Sequence, residues 1–245
     1  MWPDADIPRA NPPPDTRLYA IGDIHGRADL LARLHAAISD DAAAAREPRK
    51  VLIYLGDYVD RGADSAGVIE MLLDRPLPGF ETVHLMGNHE DLLLRFLQDP
   101  GIGRLWSMNG GAETLESYGL DGHLLADDRA GPALQAGLRA RLPAAHLRFF
   151  QALAVMHIEG GCLFVHAGLR PGVPVDQQDA EDLLWIREPF LFSHEDFGYV
   201  VVHGHTPVEA PEAHFNRINV DTGAVWTDRL TAVVLSGDRY AFLHT

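Results

Sequence analysis

Acidic, amide and imidazole side chains follow glycines at the ends of short apolar runs in the first part of the chain. Asp23 and His25 lie in Gly-Asp-Ile-His-Gly, Asp57 lies in Gly-Asp-Tyr-Val-Asp-Arg-Gly, and Asn88 lies in Gly-Asn-His-Glu. Mixed oxygen and nitrogen donors suit borderline divalent ions such as manganese, iron or zinc, whereas magnesium and calcium prefer oxygen-only ligands. The residue types therefore predict a site for divalent metal ions.

Two later histidines occupy the same kind of position. His166 closes another apolar run, and His205 follows a further run in His-Gly-His-Thr-Pro. In open α/β sheets, functional groups collect beyond the carboxyl ends of strands. A lone Asp or His is more typical of a turn or a structural role, but the recurrence at run after run predicts one shared site.

The apolar runs are predicted to be buried strands, at residues 18–22, 51–56, 82–87, 162–166 and 199–204. Between the early runs, apolar residues recur at the spacing of one helix face. This alternation of strands and helices predicts an α/β fold with parallel strands covered on both faces. Residues 91–160 break the rhythm and are interpreted as a helical insertion over the site. Strand candidates at 217–220, 230–235 and 240–243 are predicted to complete a second sheet.

Composition limits the class of protein. The 245 residues carry a formal net charge of −15, which opposes binding to nucleic acid or to anionic membrane surfaces. No run of eighteen apolar residues occurs, so a membrane-spanning helix is not expected. Residues 1–16, rich in proline, are predicted to be a mobile arm without secretory-signal features, and 17–245 a single domain. The one cysteine, Cys162, lies in an apolar run and is predicted to be buried, which fits a cytoplasmic protein.

The three early blocks, in this order, resemble the phosphoprotein phosphatase (PPP) family of the calcineurin-like metallophosphoesterase superfamily, and in particular its bacterial and phage serine/threonine phosphatases. Similar blocks follow at His166-Ala-Gly, Trp185-Ile-Arg-Glu and Gly204-His-Thr-Pro, so the likeness extends from about Arg17 to Gly223. It implies a two-sheet β-sandwich flanked by helices. It also implies hydrolysis by a hydroxide that two metal ions activate for in-line attack on phosphorus.

The resemblance further implies a role for each matching residue. Six are expected to hold two divalent ions, with Mn²⁺ preferred over Fe or Zn: Asp23 and His25 at the first ion, Asp57 between the two, and Asn88, His166 and His205 at the second. His89, oriented by Asp60, would protonate the leaving oxygen. Arg61 and Arg187, together with Asn88, would bind the phosphate.

Two residues help to choose among related activities. Symmetrical dinucleoside tetraphosphatases of the family typically lack the acid that Asp60 provides. Related nucleases and phosphodiesterases have a last histidine at the position that Pro207 occupies here. Phosphomonoester hydrolysis is therefore favoured, with a phosphorylated protein or peptide, or a small phosphomonoester, as substrate. A small-molecule phosphatase, a symmetrical tetraphosphatase and a noncatalytic binding module stay as alternatives. The natural substrate and the oligomeric state are left open.

The sequence suggests less specific roles for several further residues. Met86 stands where many family members have an arginine, which predicts weaker ground-state binding of phosphate. His203 lies two residues before His205, but alternation along a strand does not by itself place it on a metal, and Asp221 is predicted to be a turn residue near the site. A further group is interpreted either as part of a substrate groove or as packing residues: Trp106, Asn109, Gly110, Gly111, Thr114 and Tyr118.

Overall fold

Alternate side chains of the first strand face two different apolar surroundings. In the computed structural model, which describes residues 10–245, Leu18 and Ala20 pack between two β-sheets, whereas Tyr19 and Ile21 pack against helices. A strand that is buried on both faces needs a continuous apolar sequence. This is why the early strands stand out as unbroken apolar runs.

The described residues contain strands β1 (Thr16–Ile21), β2 (Arg49–Tyr54), β3 (Glu81–His84), β4 (Met156–Glu159), β5 (Cys162–Val165), β6 (Val200–His203), β7 (Glu212–Ala213), β8 (Arg217–Asn219), β9 (Thr231–Ser236) and β10 (Arg239–His244). Their helices are α1 (Ala28–Ala44), α2 (Ser65–Asp74), α3 (Asn88–Gln98), α4 (Gly103–Met108), α5 (Gly111–Ser117), α6 (Gly131–Arg141), α7 (Ala144–Gln151), α8 (Ala180–Trp185) and α9 (Ala224–Thr227).

The first sheet has the order β10-β9-β1-β2-β3, in which β1, β2 and β3 run parallel. β9 joins β1 in antiparallel fashion, with Tyr19 opposite Val234, and β10 pairs with β9. The two C-terminal strands were predicted to complete the second sheet, and that prediction is wrong for both of them. Their apolar residues fill the open edge of β1, a pairing that no local sequence pattern records.

The second sheet has the order β4-β5-β6-β8-β7, with β5, β6 and β8 parallel. Its inner face, including Phe164 and Val202, packs on the first sheet, while Leu163 and Val201 on the outer face pack on α8 and the segment after it. The predicted two-sheet sandwich flanked by helices is confirmed. Cys162 is buried inside it, and burial raises the pKa of its thiol to about 12.

The structure describes the predicted helical insertion and part of the predicted N-terminal arm. Within residues 91–160, the predicted helical insertion, the chain forms most of α3 and then α4 to α7, but its last residues form the strand β4. Residues 1–9 of the predicted arm lie outside the described residues, but Ala10 is buried and the Asn11 carbonyl accepts a hydrogen bond from Gly161 N–H, so this part of the arm packs against the turn between β4 and β5. No helix within residues 10–245 is long and apolar enough to cross a membrane.

Candidate active site

The loops that follow the parallel strands of both sheets meet at one edge of the sandwich. Asp23 and His25 follow β1, Asp57 follows β2, and Asn88 opens α3 just after β3. Gly56, at a φ of +103°, lets the second and third loops touch, because a Cβ there would lie 2.5 Å from the Gly87 nitrogen. His166 and His205 reach the same edge from the ends of β5 and β6.

Two groups of buried ligand-type side chains lie side by side in the described part of the chain. One contains His25, Asp57 and His89, and the other contains Asp57, His166 and His205. In each group the nitrogen and oxygen atoms lie within 4.8 Å of one another. Asp57 belongs to both groups, so its carboxylate occupies the only shared position among the described residues.

The second group has the donor chemistry of a metal site. His166 Nδ1 donates to the Leu55 carbonyl at 3.0 Å, so its Nε2 carries a lone pair, yet this atom lies 2.9 Å from Asn88 Oδ1. His205 Nδ1 lies 2.9 Å from the same Oδ1 and 3.2 Å from His166 Nε2. Two acceptors in such close contact repel one another unless a cation lies between them, and imidazole and amide oxygen are suitable ligands.

The first group is built in a similar way. His25 Nδ1 donates to the Val59 carbonyl at 2.8 Å, which directs Nε2 toward Asp57 Oδ2, 3.5 Å away. Burial, followed by the charges of His89 and Arg61, lowers the pKa of His25 well below its usual value. Burial and the neighbouring Asp23 raise the pKa of Asp57 well above the usual value. Neutral imidazoles and crowded carboxylates together are compatible with two divalent ions.

Asp23 lies beside this centre but is in neither group. Its carboxylate accepts the backbone N–H of His205, at 3.1 and 3.2 Å to its two oxygens. Burial, and next the adjacent carboxyl of Asp221, raise the pKa of Asp23 well above its usual value. Asp221 is itself buried, and its predicted turn role is present as well, because its Oδ1 accepts Gly223 N–H at 2.9 Å.

His89 and Asp60 form a buried pair next to the shared carboxylate. His89 Nδ1 lies 2.7 Å from Asp60 Oδ2, and His89 Nε2 has no hydrogen-bond partner. Trp106 Nε1 donates to Asp60 Oδ2 at 2.9 Å, and Thr114 Oγ1 donates to Oδ1 at 2.6 Å. Burial raises the pKa of Asp60 to about 7, against the lowering effect of these two hydrogen bonds. The pair is thus held rigidly from the helical insertion.

The two predicted phosphate-binding arginines act on residues of different ligand groups. Arg61 NH1 lies 2.6 Å from His25 Nε2, and the Arg61 backbone N–H is held by the Gly110 carbonyl at 2.9 Å. Arg187 is exposed after α8, and its charge contributes, after burial, to a lowered pKa of about 3 at His205.

One residue of the site was quoted in a motif but given no role from the sequence. Glu90 accepts four backbone hydrogen bonds, from Asp57, Tyr58, Val59 and Gly87, at 2.8 to 3.2 Å. The available signal was its place as the third residue of α3, where a glutamate reaches back to the residue before the helix. Its carboxylate ties the loop after β2 to the start of α3.

The residues considered for a substrate groove lie mostly inside the protein. Trp106 and Thr114 are buried against Asp60, Gly111 packs on the Trp106 ring, and Tyr118 hydrogen-bonds His146. The packing interpretation therefore describes them better. His203 is buried against Phe190 and belongs to neither ligand group.

Comparison with known proteins gives consistent matches. The sequence profile of the calcineurin-like phosphoesterase family matches residues 16–237. The asymmetrical bis(5'-nucleosyl)-tetraphosphatase PrpE of Bacillus thuringiensis is 27% identical over 235 residues, covering 87% of this chain and 88% of that protein.

Solved structures share the fold at lower identity. A candidate diadenosine tetraphosphatase has a TM-score of 0.59 at 22% identity, covering 95% of both chains. A cold-active protein tyrosine phosphatase of a psychrophilic Shewanella has a TM-score of 0.59 at 17% identity, covering 96% of this chain and 83% of that one.

Proposed function

The chain belongs to the calcineurin-like phosphoesterase family, and from that membership we propose that it is a metal-dependent phosphomonoester hydrolase whose main substrates are phosphoserine and phosphothreonine in proteins. The reaction would occur at the edge of the sandwich where the two ligand groups share Asp57.

The proposal assigns metal binding to six side chains: Asp23 and His25 at one ion, Asp57 between the ions, and Asn88, His166 and His205 at the other. Two divalent ions, Mn²⁺ in preference to Fe or Zn, would supply a water of lowered pKa and positive charge for the phosphoryl oxygens. Asn88 contributes no negative charge, so the centre keeps a net positive charge that attracts a phosphate anion.

The remaining groups act on the substrate directly. Arg61 and Arg187 would hold phosphate oxygens, assisted by Asn88, because the planar guanidinium donates in bidentate fashion. His89 would give its proton from Nε2 to the departing oxygen, while Asp60 fixes the ring through Nδ1. Asp60 is thus a positioning residue and His89 a catalytic one.

One observation carries the choice of an alkyl monoester. A serine or threonine alkoxide is a poor leaving group and needs a proton, whereas a departing phosphate needs little help. His89 Nε2 is buried, has no hydrogen-bond partner and lies 3.7 Å from Oδ2 of the shared Asp57 carboxylate, so it would be available to a leaving oxygen bound at the centre. Asp60, Trp106 and Thr114 together hold the His89 imidazole in place. This supports a reaction that depends on a proton from His89.

A second candidate is the hydrolysis of an asymmetrical dinucleoside tetraphosphate, the activity in the name of the Bacillus relatives. Their match covers most of both chains, although at 27% identity. The leaving group in that reaction is a phosphate, so the acid pair would contribute less to its rate.

The two candidates are separated by assaying the manganese-loaded enzyme on phosphoserine, phosphothreonine and phosphotyrosine peptides, diadenosine tetraphosphate and bis-p-nitrophenyl phosphate. We expect the highest kcat/KM on the phosphoserine and phosphothreonine peptides, and none of these activities in Asp57→Asn. Faster cleavage of the tetraphosphate would establish the second candidate instead. An absence of all hydrolysis in the metal-loaded wild type would favour a binding module.

A further inference from the structure

Trp226 presents its indole to solvent at the rim of the site. The side chain is 64% exposed, although its one-turn helix α9 is firmly attached to the core. Arg27 NH1 donates to the Ala224 carbonyl at 3.1 Å, and Thr227 Oγ1 donates to the carbonyls of Thr222 and Gly223. The backbone that carries the exposed indole is therefore held in place, which lowers the cost of ordering the side chain when a ligand binds.

The indole is linked to the metal centre through one residue. The Arg61 guanidinium carbon lies 5.2 Å from the centre of the Trp226 ring, a cation–π distance. The same guanidinium reaches His25 Nε2 with NH1, at 2.6 Å. A phosphate bound at the centre and held by Arg61 would thus lie close to the exposed indole.

We propose that Trp226 and Arg61 form a subsite for the nucleobase of a nucleoside phosphate, so that the enzyme also hydrolyses nucleotides. The base would stack on the face of the indole that Arg61 does not cover, while its phosphate contacts Arg61. This inference rests on the proposed phosphomonoester hydrolase activity of the same centre.

The chemistry favours a nucleobase over a side chain of a phosphopeptide. A nucleotide carries its planar ring and its phosphate on one ribose, so few bonds must be ordered when both ends bind. A flanking peptide side chain is joined to the phosphate through several freely rotating backbone bonds, and ordering them costs more. Every base has a π face, and stacking on an aromatic side chain is largely independent of base identity.

The test compares two phosphomonoesters that differ in the base, adenosine 5'-monophosphate and ribose 5-phosphate, with the manganese-loaded enzyme. We expect a higher kcat/KM for the nucleotide in the wild type. Trp226→Ala should lower the ratio of the two kcat/KM values about 5- to 150-fold, the range of measured base–aromatic stacking. Trp226→Phe keeps a ring and should retain part of the preference. Any disturbance of Arg61 affects both substrates and cancels in the ratio.

Phe215→Ala is the matched control, because Phe215 is also an exposed aromatic residue but precedes β8, at the end of that strand away from the site. It should leave the ratio unchanged. An unchanged ratio in Trp226→Ala, with hydrolysis of both compounds intact, would overturn the subsite while leaving the proposed function standing. If Trp226→Ala lowered kcat/KM only for a phosphotyrosine peptide, relative to a phosphoserine peptide, the indole would bind the phosphotyrosine ring. That result would overturn the nucleobase subsite. If the wild type hydrolyses neither the two sugar phosphates nor a phosphopeptide, the proposed phosphomonoester hydrolase activity and the subsite are both overturned.

Discussion

The Glu90 carboxylate accepts the backbone N–H of Asp57 at 2.9 Å and so fixes the residue that both ligand groups share. The same carboxylate binds the N–H groups of Tyr58, Val59 and Gly87. Asp57 has a φ of +52°, a conformation that is unfavourable for a residue with a side chain. The four hydrogen bonds from Glu90 therefore help to hold a strained loop in its working geometry.

Glu90→Gln should weaken this anchor. A glutamine of the same shape turns an NH₂ group toward backbone N–H donors, so at least one buried donor loses its acceptor. We expect a loss of about 2 to 3 kcal/mol in the free energy of unfolding, measured by urea denaturation of the metal-free protein. Glu209→Gln, at an exposed glutamate, should change it little. Equal stability of the two variants would remove Glu90 from its anchoring role.

Because Asp57 belongs to both ligand groups, replacing Asp57 should lower the metal content more than replacing His166. Asp57→Asn should reduce the Mn²⁺ bound by the purified protein at both positions, because the carboxylate borders both groups. His166→Asn should reduce it at one position, since His166 contacts only the second group. The measurement is the number of Mn²⁺ ions per chain by elemental analysis after equilibration with a fixed free concentration. Retention of two ions in Asp57→Asn would contradict the bridging role.

Asp60→Asn tests the positioning of His89. The amide is isosteric and tolerates the φ of +72° at this position, but it cannot stabilise a protonated imidazole. We expect kcat on a phosphoserine peptide to fall about 10²- to 10⁴-fold, the usual contribution of a general acid, and kcat on p-nitrophenyl phosphate to fall much less. His89→Asn should behave alike, and the double variant should be no worse than either single one. Equal losses on both substrates would argue for a structural role.

The parts of this site that could be predicted from the sequence are those encoded locally. Glycine followed by Asp or Asn at the end of an apolar run identifies a strand end, and the ligands of both groups lie at such ends. The contacts that support them could not be predicted in this way. Thr114 is 54 residues from Asp60 along the chain and Trp106 is 46, and nothing in their neighbourhood marks the contact.

The same limit applies to the fold and to the backbone of the site. β9 joins the first sheet by pairing with β1, which lies near the other end of the chain, and β10 follows by pairing with β9. Positive φ angles at His25, Asp57, Asp60, Arg61 and His205 were not predicted either, because such residues rarely adopt them. Tertiary hydrogen bonds impose these angles, so they follow from the assembled structure and not from local propensity.

His35 should make stability depend on pH. It is buried on α1 with Nε2 2.9 Å from the Tyr54 hydroxyl, and burial lowers its pKa from 6.5 to about 4. Between these values the unfolded chain binds a proton that the folded chain does not, so stability falls as pH drops from 6.5 toward 4. The contribution at pH 5 is a loss of about 2 kcal/mol relative to pH 7.

The measurement for His35 is the free energy of unfolding of the metal-free protein at pH 7 and pH 5. His35→Gln removes the titrating group and should reduce the pH dependence by about that amount. His123→Gln, at an exposed histidine, is the control substitution. An unchanged dependence in His35→Gln would mean that the folded protein tolerates the charge on His35.

Met86→Arg should strengthen phosphate binding without changing the chemical step. Met86 immediately precedes Gly87 and Asn88, its backbone N–H donates to the Ala154 carbonyl at 2.8 Å, and its side chain is half-buried against the core. A guanidinium introduced here would add a charge-assisted hydrogen bond to the substrate, worth about 1.5 to 3 kcal/mol, so KM for a phosphoserine peptide should fall about tenfold or more while kcat changes little. Met86→Leu is the control for the packing change. Because the gain is electrostatic, it should shrink as salt is raised. A KM that equals that of Met86→Leu at low ionic strength would show that position 86 does not reach the phosphate.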